Sequence, residues 1–488
     1  MNSNPSRREF LKTAALAGVG GSVARAALAQ TGAPTPDTTP VTLPSGIVIP
    51  AHDSATLPRP PGQNPVHDLT TKPQEKIRVG VIGCHRGLAH VTACCGIEFA
   101  EVVAVCDWRD ERAQHAADLC VRMGRTKPAV YSGTEEIWEK MAERDDIDAI
   151  YAATPWRWHV PMALKAMKQG KHAFVEVPAA VTVADCWALV DTSEQTQRHC
   201  VLLENCCYGE DEMFVLNLAH EGVFGDLLHA ECAYLHDLRQ VLFDLGQEGE
   251  WRRDYHSRYN GNLYPTHGLG PVGQRFGLGR GDQFQRLVSM SSPERCLSKY
   301  LKDKRPNGGK EAGEKYICGD INTSVIQSVN GRTILLQHDV VCPRPYSRIN
   351  ALYGTGGTFF DYPPRLALDE PKKYGLQANG PEDWMSAEDL TKMREQFTHP
   401  LWKKLRERAK GGGHGGMDFI INWRLLDCLR QGKTPDSVVY DAAAWSCIVE
   451  LSSRSVATGA TPVEFPDFTR GLWPHIPPLP IAGKESVG

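Results

Sequence analysis

The sequence has no excess of positive charge: 54 Lys and Arg stand against 58 Asp and Glu, for a formal charge of −4 and a pI of about 6.5. With no cationic surplus to neutralise phosphates, general nucleic-acid binding has little electrostatic support, and small neutral or polar substrates are expected. No Cys-x-x-Cys spacing occurs among the 15 cysteines and the histidines are dispersed, so no metal site is expected. Cys94-Cys95 and Cys206-Cys207 are adjacent, and the odd, scattered set does not read as a secreted disulfide framework. Most cysteines read as small core residues of a chain that folds in a reducing compartment. Compositional bias is also missing: 41% hydrophobic and 23% charged residues exclude disorder, collagen and coiled coil. The 488 residues supply two or three domains.

What is present begins with an address. Ser6-Arg7-Arg8-Glu9-Phe10-Leu11-Lys12, a small-residue apolar stretch over residues 13–24 and Ala27-Leu28-Ala29 occur in signal-peptide order, and the stretch is too short to span a bilayer. The paired arginines resemble a twin-arginine signal, which exports proteins already folded. Residues 1–29 are therefore expected to be removed, leaving a periplasmic or secreted protein with no membrane anchor, engaged by the twin-arginine export machinery. Removal takes Arg7, Arg8, Lys12 and Arg25 but only Glu9, so the charge falls from −4 to −7. Residues 30–75 hold 10 of the 33 prolines and no clear periodicity, which reads as an extended arm.

The next stretch has the order strand, glycine turn, helix, strand. Ile77-Arg78-Val79-Gly80-Val81-Ile82 runs into Gly83-Cys84-His85-Arg86-Gly87, a helix begins near Leu88, and a second strand ends at Asp107, 24 residues beyond Gly83. A carboxylate there accepts hydrogen bonds from an adenosine ribose while the turn and helix N-terminus receive a pyrophosphate, a spacing that fits NAD. The fingerprint is imperfect, since His85 and Leu88 replace its second and third glycines. Further strands end at Thr154-Pro155-Trp156-Arg157-Trp158-His159, at Glu176-Val177-Pro178 and at Glu204-Asn205. Ligands of open α/β sheets collect at such carboxyl ends. Read from the residues alone, the lesser alternative is that Trp156, Trp158 and His159 cap the sheet as packing groups.

Over residues 77–465 the chain resembles the oxidoreductase family named after glucose-fructose oxidoreductase and inositol dehydrogenase. The resemblance implies an α/β fold: a doubly wound parallel Rossmann sheet over residues 76–205, an α+β substrate domain with an open, mainly antiparallel sheet over residues 206–465, and a tail over 466–488. Alternation at residues 229–234, 323–329 and 333–338, with Asn330-Gly331 as a hairpin turn, agrees with the second sheet. Two departures stand out. The family's Glu-Lys-Pro is here Glu176-Val177-Pro178, and its Asp and His at the catalytic helix start fall at Thr266 and Gly270. The stretch 251–271 is read as loop-rich and 299–315 as a solvated loop.

Asn260 to Val272, Thr154 to His159, Pro343-Arg344-Pro345-Tyr346-Ser347-Arg348 and His414-Gly415-Gly416-Met417-Asp418 are similar to glycoside hydrolase family 109, whose best-known activity is α-N-acetylgalactosaminidase. The resemblance implies an NAD-dependent glycosidase: hydride leaves C3 of the sugar, the ketone acidifies the C2 proton, the C1 group is eliminated, water adds, and C3 is reduced again. It carries cofactor contacts to Gly83, His85, Arg86, Asp107, Trp156, Arg157, Trp158, His159, Glu176, Val177 and Asn205. Sugar contacts carry over to Tyr234, Arg252, Tyr264, Pro265, Thr266, His267 and Tyr346, and proton transfer to His267 and Tyr264, with Tyr346 and His414 assisting. From the residues alone, His267 could satisfy a turn backbone, Arg252 could be a solvated surface residue, and the glycines round His414 could mark only a flexible loop, with Asp418 an N-cap. Two other readings stand beside the glycosidase: an NAD-dependent sugar or inositol dehydrogenase, which would need exchangeable NAD, and a periplasmic sugar-binding protein that retains NAD without turnover. The open sheet makes a homo-oligomer plausible.

Overall fold

Strands buried on both faces need continuous apolar runs, and the runs rich in Val, Ile and Ala after residue 76 supply them. In the computed structural model, which describes residues 39–51, 57–244, 248–304, 311, 313–377, 380 and 382–482, they form a six-stranded, all-parallel sheet. After a small hairpin of β1 (Val41–Thr42) and β2 (Val48–Ile49), its strands are β3 (Ile77–Ile82), β4 (Ala100–Cys106), β5 (Ala129–Tyr131), β6 (Ala149–Ala152), β7 (His172–Val175) and β8 (Cys200–Leu202). The spatial order β5-β4-β3-β6-β7-β8 reverses direction at β3, so the crevice outside the carboxyl ends of β3, β4 and β6 is the switch point at which such sheets bind ligands. The twin-arginine segment lies outside the described residues.

The second sheet contains β9 (Leu227–Leu235), β10 (Phe284–Ser291), β11 (Asn322–Ser328), β12 (Thr333–Asp339), β13 (Ala351–Gly354), β14 (Gly357–Phe360), β15 (Arg365–Leu368) and β16 (Val463–Glu464). Its order is β15-β14-β13-β9-β12-β11-β10-β16, antiparallel except for the β9–β12 pair. The helices Thr266–Phe276 and Ile448–Ala457 pack on the sheet, while Leu228, Met290 and Val325 stay exposed. Among the described residues no helix is long and apolar enough to cross a membrane.

Several elements differ from the sequence expectation. The stretch 251–271 is mostly helical, in Gly249–Arg258 and Thr266–Phe276. Its glycines serve close approach: a Cβ on Gly268 would stand 2.5 Å from the Ala233 amide nitrogen, one on Gly270 2.8 Å from Glu204, and one on Gly273 2.8 Å from Trp445. Trp156 opens the helix Trp156–Lys168, so the aromatic motif is a helix first turn. Residues 299–304 belong to the helix Cys296–Lys304, and Glu311 is fully buried, so this region is not simply a solvated loop. The N-cap of the helix Met417–Gln431 is Gly416; the Asp418 carboxylate is engaged elsewhere.

The described part of the proline-rich arm is laid against the body. Thr71 and Gln74 donate backbone hydrogen bonds to Gly432 and Arg430 at 3.0 and 2.9 Å, and Arg59 meets Glu194 at 3.0 Å. Beyond Phe465, the side chains of Phe468, Leu479 and Ile481 are buried.

His172, His256 and His338 are buried, and desolvation pushes them down to about 3, 4 and 3. All three stay neutral in the fold but gain a proton in the unfolded chain below its ordinary value near 6.5. Between pH 6.5 and about 4 the unfolded state therefore binds more protons, and stability should fall with pH by up to about 1.4 kcal/mol per unit for each histidine. Urea unfolding at pH 7.5, 6 and 5 measures this, with His→Gln variants flattening the slope.

Candidate active site

The glycine turn is forced by its neighbour strand. Gly83 has φ +88°, and a Cβ there would stand 2.1 Å from the Ala153 carbonyl oxygen at the end of β6. Asp107, at the end of β4, accepts hydrogen bonds from the Cys84 and Arg109 amides at 2.8 and 3.0 Å, which ties turn and strand end together. A cavity of about 490 Å³ opens along these ends, lined by Gly83, His85, Arg86, Asp107, Trp156, Arg157, Trp158, His159, Glu176 and Val177, with Arg252 and Tyr264 also on its wall. Asn205 is buried beside it but does not line it.

These residues have different surroundings. Trp156 is buried and donates from Nε1 to the Val177 carbonyl at 3.1 Å, bracing the β7 end. His159 is buried between the Pro178 and Thr154 carbonyls, at 2.8 and 2.7 Å, and desolvation lowers its pKa, so it braces the cavity floor. Arg157 is exposed and reaches Glu135 at 3.3 Å. Trp158 packs edge-on against Trp138. His85 is exposed, 4.0 Å from Glu248.

Behind the turn lies a charge cluster. Arg86 donates from Nε to Glu176 at 2.6 Å and from Nη1 and Nη2 to Asp418 at 2.9 and 3.0 Å. Glu176 also meets His90 Nε2 at 2.9 Å, and Asp418 receives the Asn205 amide and His414 Nδ1, both at 2.8 Å. Burial pushes both carboxyls up, but the Arg86 guanidinium and the histidines beside them hold each well below the usual carboxylate range.

The second domain contributes an aromatic cluster. Tyr234, at the end of β9, lies with ring centroids 4.5 Å from Tyr264, 5.3 Å from His267 and 6.2 Å from Tyr346. Tyr264 is 4.9 Å from His267 and 6.1 Å from Trp156, and the Arg252 guanidinium sits 5.0 Å over the Tyr264 ring. Arg252 is paired with Glu248 at 2.8 Å. Burial pushes Tyr234 up to about 12 and Tyr264 well above its ordinary value, so both phenols are protonated at neutral pH. Tyr346 accepts from Arg348 Nη1 at 2.8 Å, and Arg348 is held by Glu212.

Tyr234, Tyr264, His267 and Tyr346 are thus brought together. His414 is not in ring contact with them; it stands more than half exposed on the glycine-rich segment, tied to Asp418. Thr266 is wholly buried, and Pro265 precedes the helix as its cap.

Two residues escaped the sequence reading. Glu204, 1% exposed, accepts from His267 Nδ1 at 2.7 Å and from the Cys206 amide at 3.1 Å. Burial raises its carboxyl, yet the His267 interaction holds it below its ordinary value, so the carboxylate is ionised and Nδ1 is the donor. A carboxylate closing the apolar run 200–203 was the available signal. Asp418 closes the 414–418 motif and reads from the residues alone as a cap; nothing in its local sequence points to Arg86.

Residues 208–475 match the family model described as the glycosyl hydrolase 109 C-terminal domain, and residues 77–203 match the oxidoreductase family, NAD-binding Rossmann fold. Glycosyl hydrolase family 109 protein 1 of Shewanella sp. (strain ANA-3) is 45% identical over 442 residues, 90% of this chain and 95% of the relative. The Shewanella oneidensis protein named alpha-N-acetylgalactosaminidase is 44% identical over 442 residues, with the same coverage. A levoglucosan dehydrogenase solved with NADH and levoglucosan has the same fold, with a TM-score of 0.59 over 80% of this chain and 100% of its own at 18% identity.

The cavity residues fit that cofactor. Asp107 offers a ribose acceptor, Arg109 and Arg112 offer cations on the cavity wall, and Trp108, 52% exposed, offers a flat face. Because Asp107 also anchors the turn through Cys84, Asp107→Ala should weaken NAD binding by about 5- to 150-fold, a loss of about 1–3 kcal/mol. Retention of NAD through gel filtration, read by absorbance and mass, checks this; full retention would contradict the assignment.

Proposed function

The chain belongs to glycosyl hydrolase family 109, and on that footing we propose that it hydrolyses terminal N-acetylgalactosaminides, the activity for which its Shewanella oneidensis relative is named. The observation that carries this reading is the position of Tyr264. It lines the dinucleotide cavity and packs on His267, so a sugar held against these rings lies beside the cofactor. NAD, when bound, supplies a hydride acceptor for C3 of the sugar and returns the hydride within the same turnover.

The chain's own residues manage protons and orientation. Glu204 holds His267 through Nδ1, which leaves Nε2 free to take a proton from the sugar at C2 or O3. Tyr264 stays protonated and donates a hydrogen bond to a developing enolate oxygen, while Tyr234, also protonated, is joined through its hydroxyl to His236 Nδ1 at 3.0 Å and packs against the Tyr264 ring. Tyr346 accepts from Arg348, so its own proton points away from the guanidinium and is available to the departing C1 oxygen. Once the C2 proton and the C1 group have left, addition of water across C1 and C2 restores the sugar with no net redox change.

We further propose that residues 1–29 act as a twin-arginine signal. Export of the folded protein with its cofactor would carry NAD to a compartment without a nicotinamide pool, where recycling within one turnover is required.

Purified protein incubated with p-nitrophenyl α-N-acetylgalactosaminide should release nitrophenol without accumulating NADH. Stoichiometric NADH would instead favour a dehydrogenase, and neither product a binding protein. Substrate deuterated at C2 should lose label to solvent, and full retention would refute the elimination route. His267→Ala should lower kcat by about 10²–10⁴ while retaining NAD. Glu204→Gln should lower kcat and displace its pH profile with little change in KM; an unchanged profile would remove Glu204 from the mechanism. Replacing Arg7 and Arg8 by Lys should leave the protein in the cytoplasmic fraction.

A further inference from the structure

We infer that Cys296 and Cys342 form a redox pair that closes to a disulfide, stapling the helix Cys296–Lys304 to the segment that leads into Tyr346. Of the 15 cysteines, 13 are buried, and Cys296 and Cys342 are the two that solvent reaches. Their sulfur atoms lie 3.8 Å apart although the residues are separated by 46 positions. Neither lines the dinucleotide cavity.

Both backbones are anchored where the sulfurs meet. Asp320 accepts the Arg295 and Cys296 amides at 3.1 and 3.0 Å, which fixes the start of the helix. Asp339, at the end of β12 and fully buried, accepts the Val341 and Cys342 amides at 3.0 and 2.9 Å. Bond formation at about 2.05 Å has to close a remaining gap of roughly 1.8 Å between the sulfurs.

The reaction balances with an external disulfide such as oxidised glutathione. One cysteine thiolate attacks a glutathione sulfur and releases one glutathione; the second cysteine attacks the mixed disulfide and releases the other. The pair loses two electrons, and both protons end on the two glutathione thiols. Burial and the adjacent carboxylates push both thiols up, so the reduced pair is a slow nucleophile, and the bridge, once formed, resists reduction. That is the behaviour of a structural staple. The bridge would hold residues 340–345, which precede Tyr346 and reach β9 through the Leu235–Ser347 pairing.

A divalent cation such as zinc is the rival occupant, because the two sulfurs and an Asp320 oxygen lie within 4.8 Å of one another. The full-length protein should be reduced, freed of metal, and treated with oxidised glutathione before native labelling with a thiol reagent and peptide mass analysis. The reduced protein should label at two cysteines and the oxidised protein at neither, with the Cys296 and Cys342 peptides joined and two hydrogens lost. Oxidation should raise Tm by on the order of a few degrees, a rise absent in Cys296→Ser and Cys342→Ser, each of which keeps one labelled thiol. The inference is overturned by two labelled thiols after oxidation, by separate glutathione adducts on both cysteines, or by protection that requires added zinc and is reversed by a chelator.

Discussion

One guanidinium joins the two halves of the site. Arg86, in the glycine turn of the first domain, is held between Glu176 at the end of β7 and Asp418 in a helix 332 residues away. Buried charges persist only when each is paired and hydrogen-bonded, and here His90, Asn205 and His414 take up the remaining acceptor positions. The turn that borders the dinucleotide cavity is thereby locked to the helix Met417–Gln431. The dinucleotide cavity and the aromatic cluster of Tyr234, Tyr264, His267 and Tyr346 then keep one relative geometry, the condition for groups of both domains to act on a single bound molecule.

Around that clamp the site divides labour by environment. Carboxylates are kept ionised by cations pressed against them, while the phenols are kept neutral by burial. His267 stands between the two regimes, with Nδ1 tied to a buried carboxylate and its ring packed edge-on against Tyr234 and Tyr264. This arrangement suits an acid–base residue that must accept a proton without losing its orientation. The departures from the dehydrogenase pattern at Val177 and Gly270 fall in the same region, where a Cβ at Gly270 would strike Glu204.

Legibility in the sequence followed locality. The strand of residues 77–82, the tight turn at Gly83 and the carboxylate at Asp107 were readable because strand periodicity, turn and spacing are properties of one short segment. Tyr264 and His267 were readable through their motif, yet the surrounding glycines read as loop, since close approach of Ala233, Glu204 and Trp445 is invisible until the helix is packed. The same holds for Asp418, whose position after a glycine run is that of an ordinary cap.

By itself the sequence determined a parallel dinucleotide sheet followed by an open antiparallel one, because burial on two faces or on one leaves different hydrophobic patterns in the chain. It also placed Gly83, Asp107, Trp156 and Glu176 at strand ends, where the structure opens a cavity. Only the tertiary structure decided which charges pair: Glu204 with His267 across 63 residues and Arg86 with Asp418 across 332. Neither pairing has a local signature, because each partner's pattern is complete without the other and only packing of the two domains brings the atoms within hydrogen-bond reach.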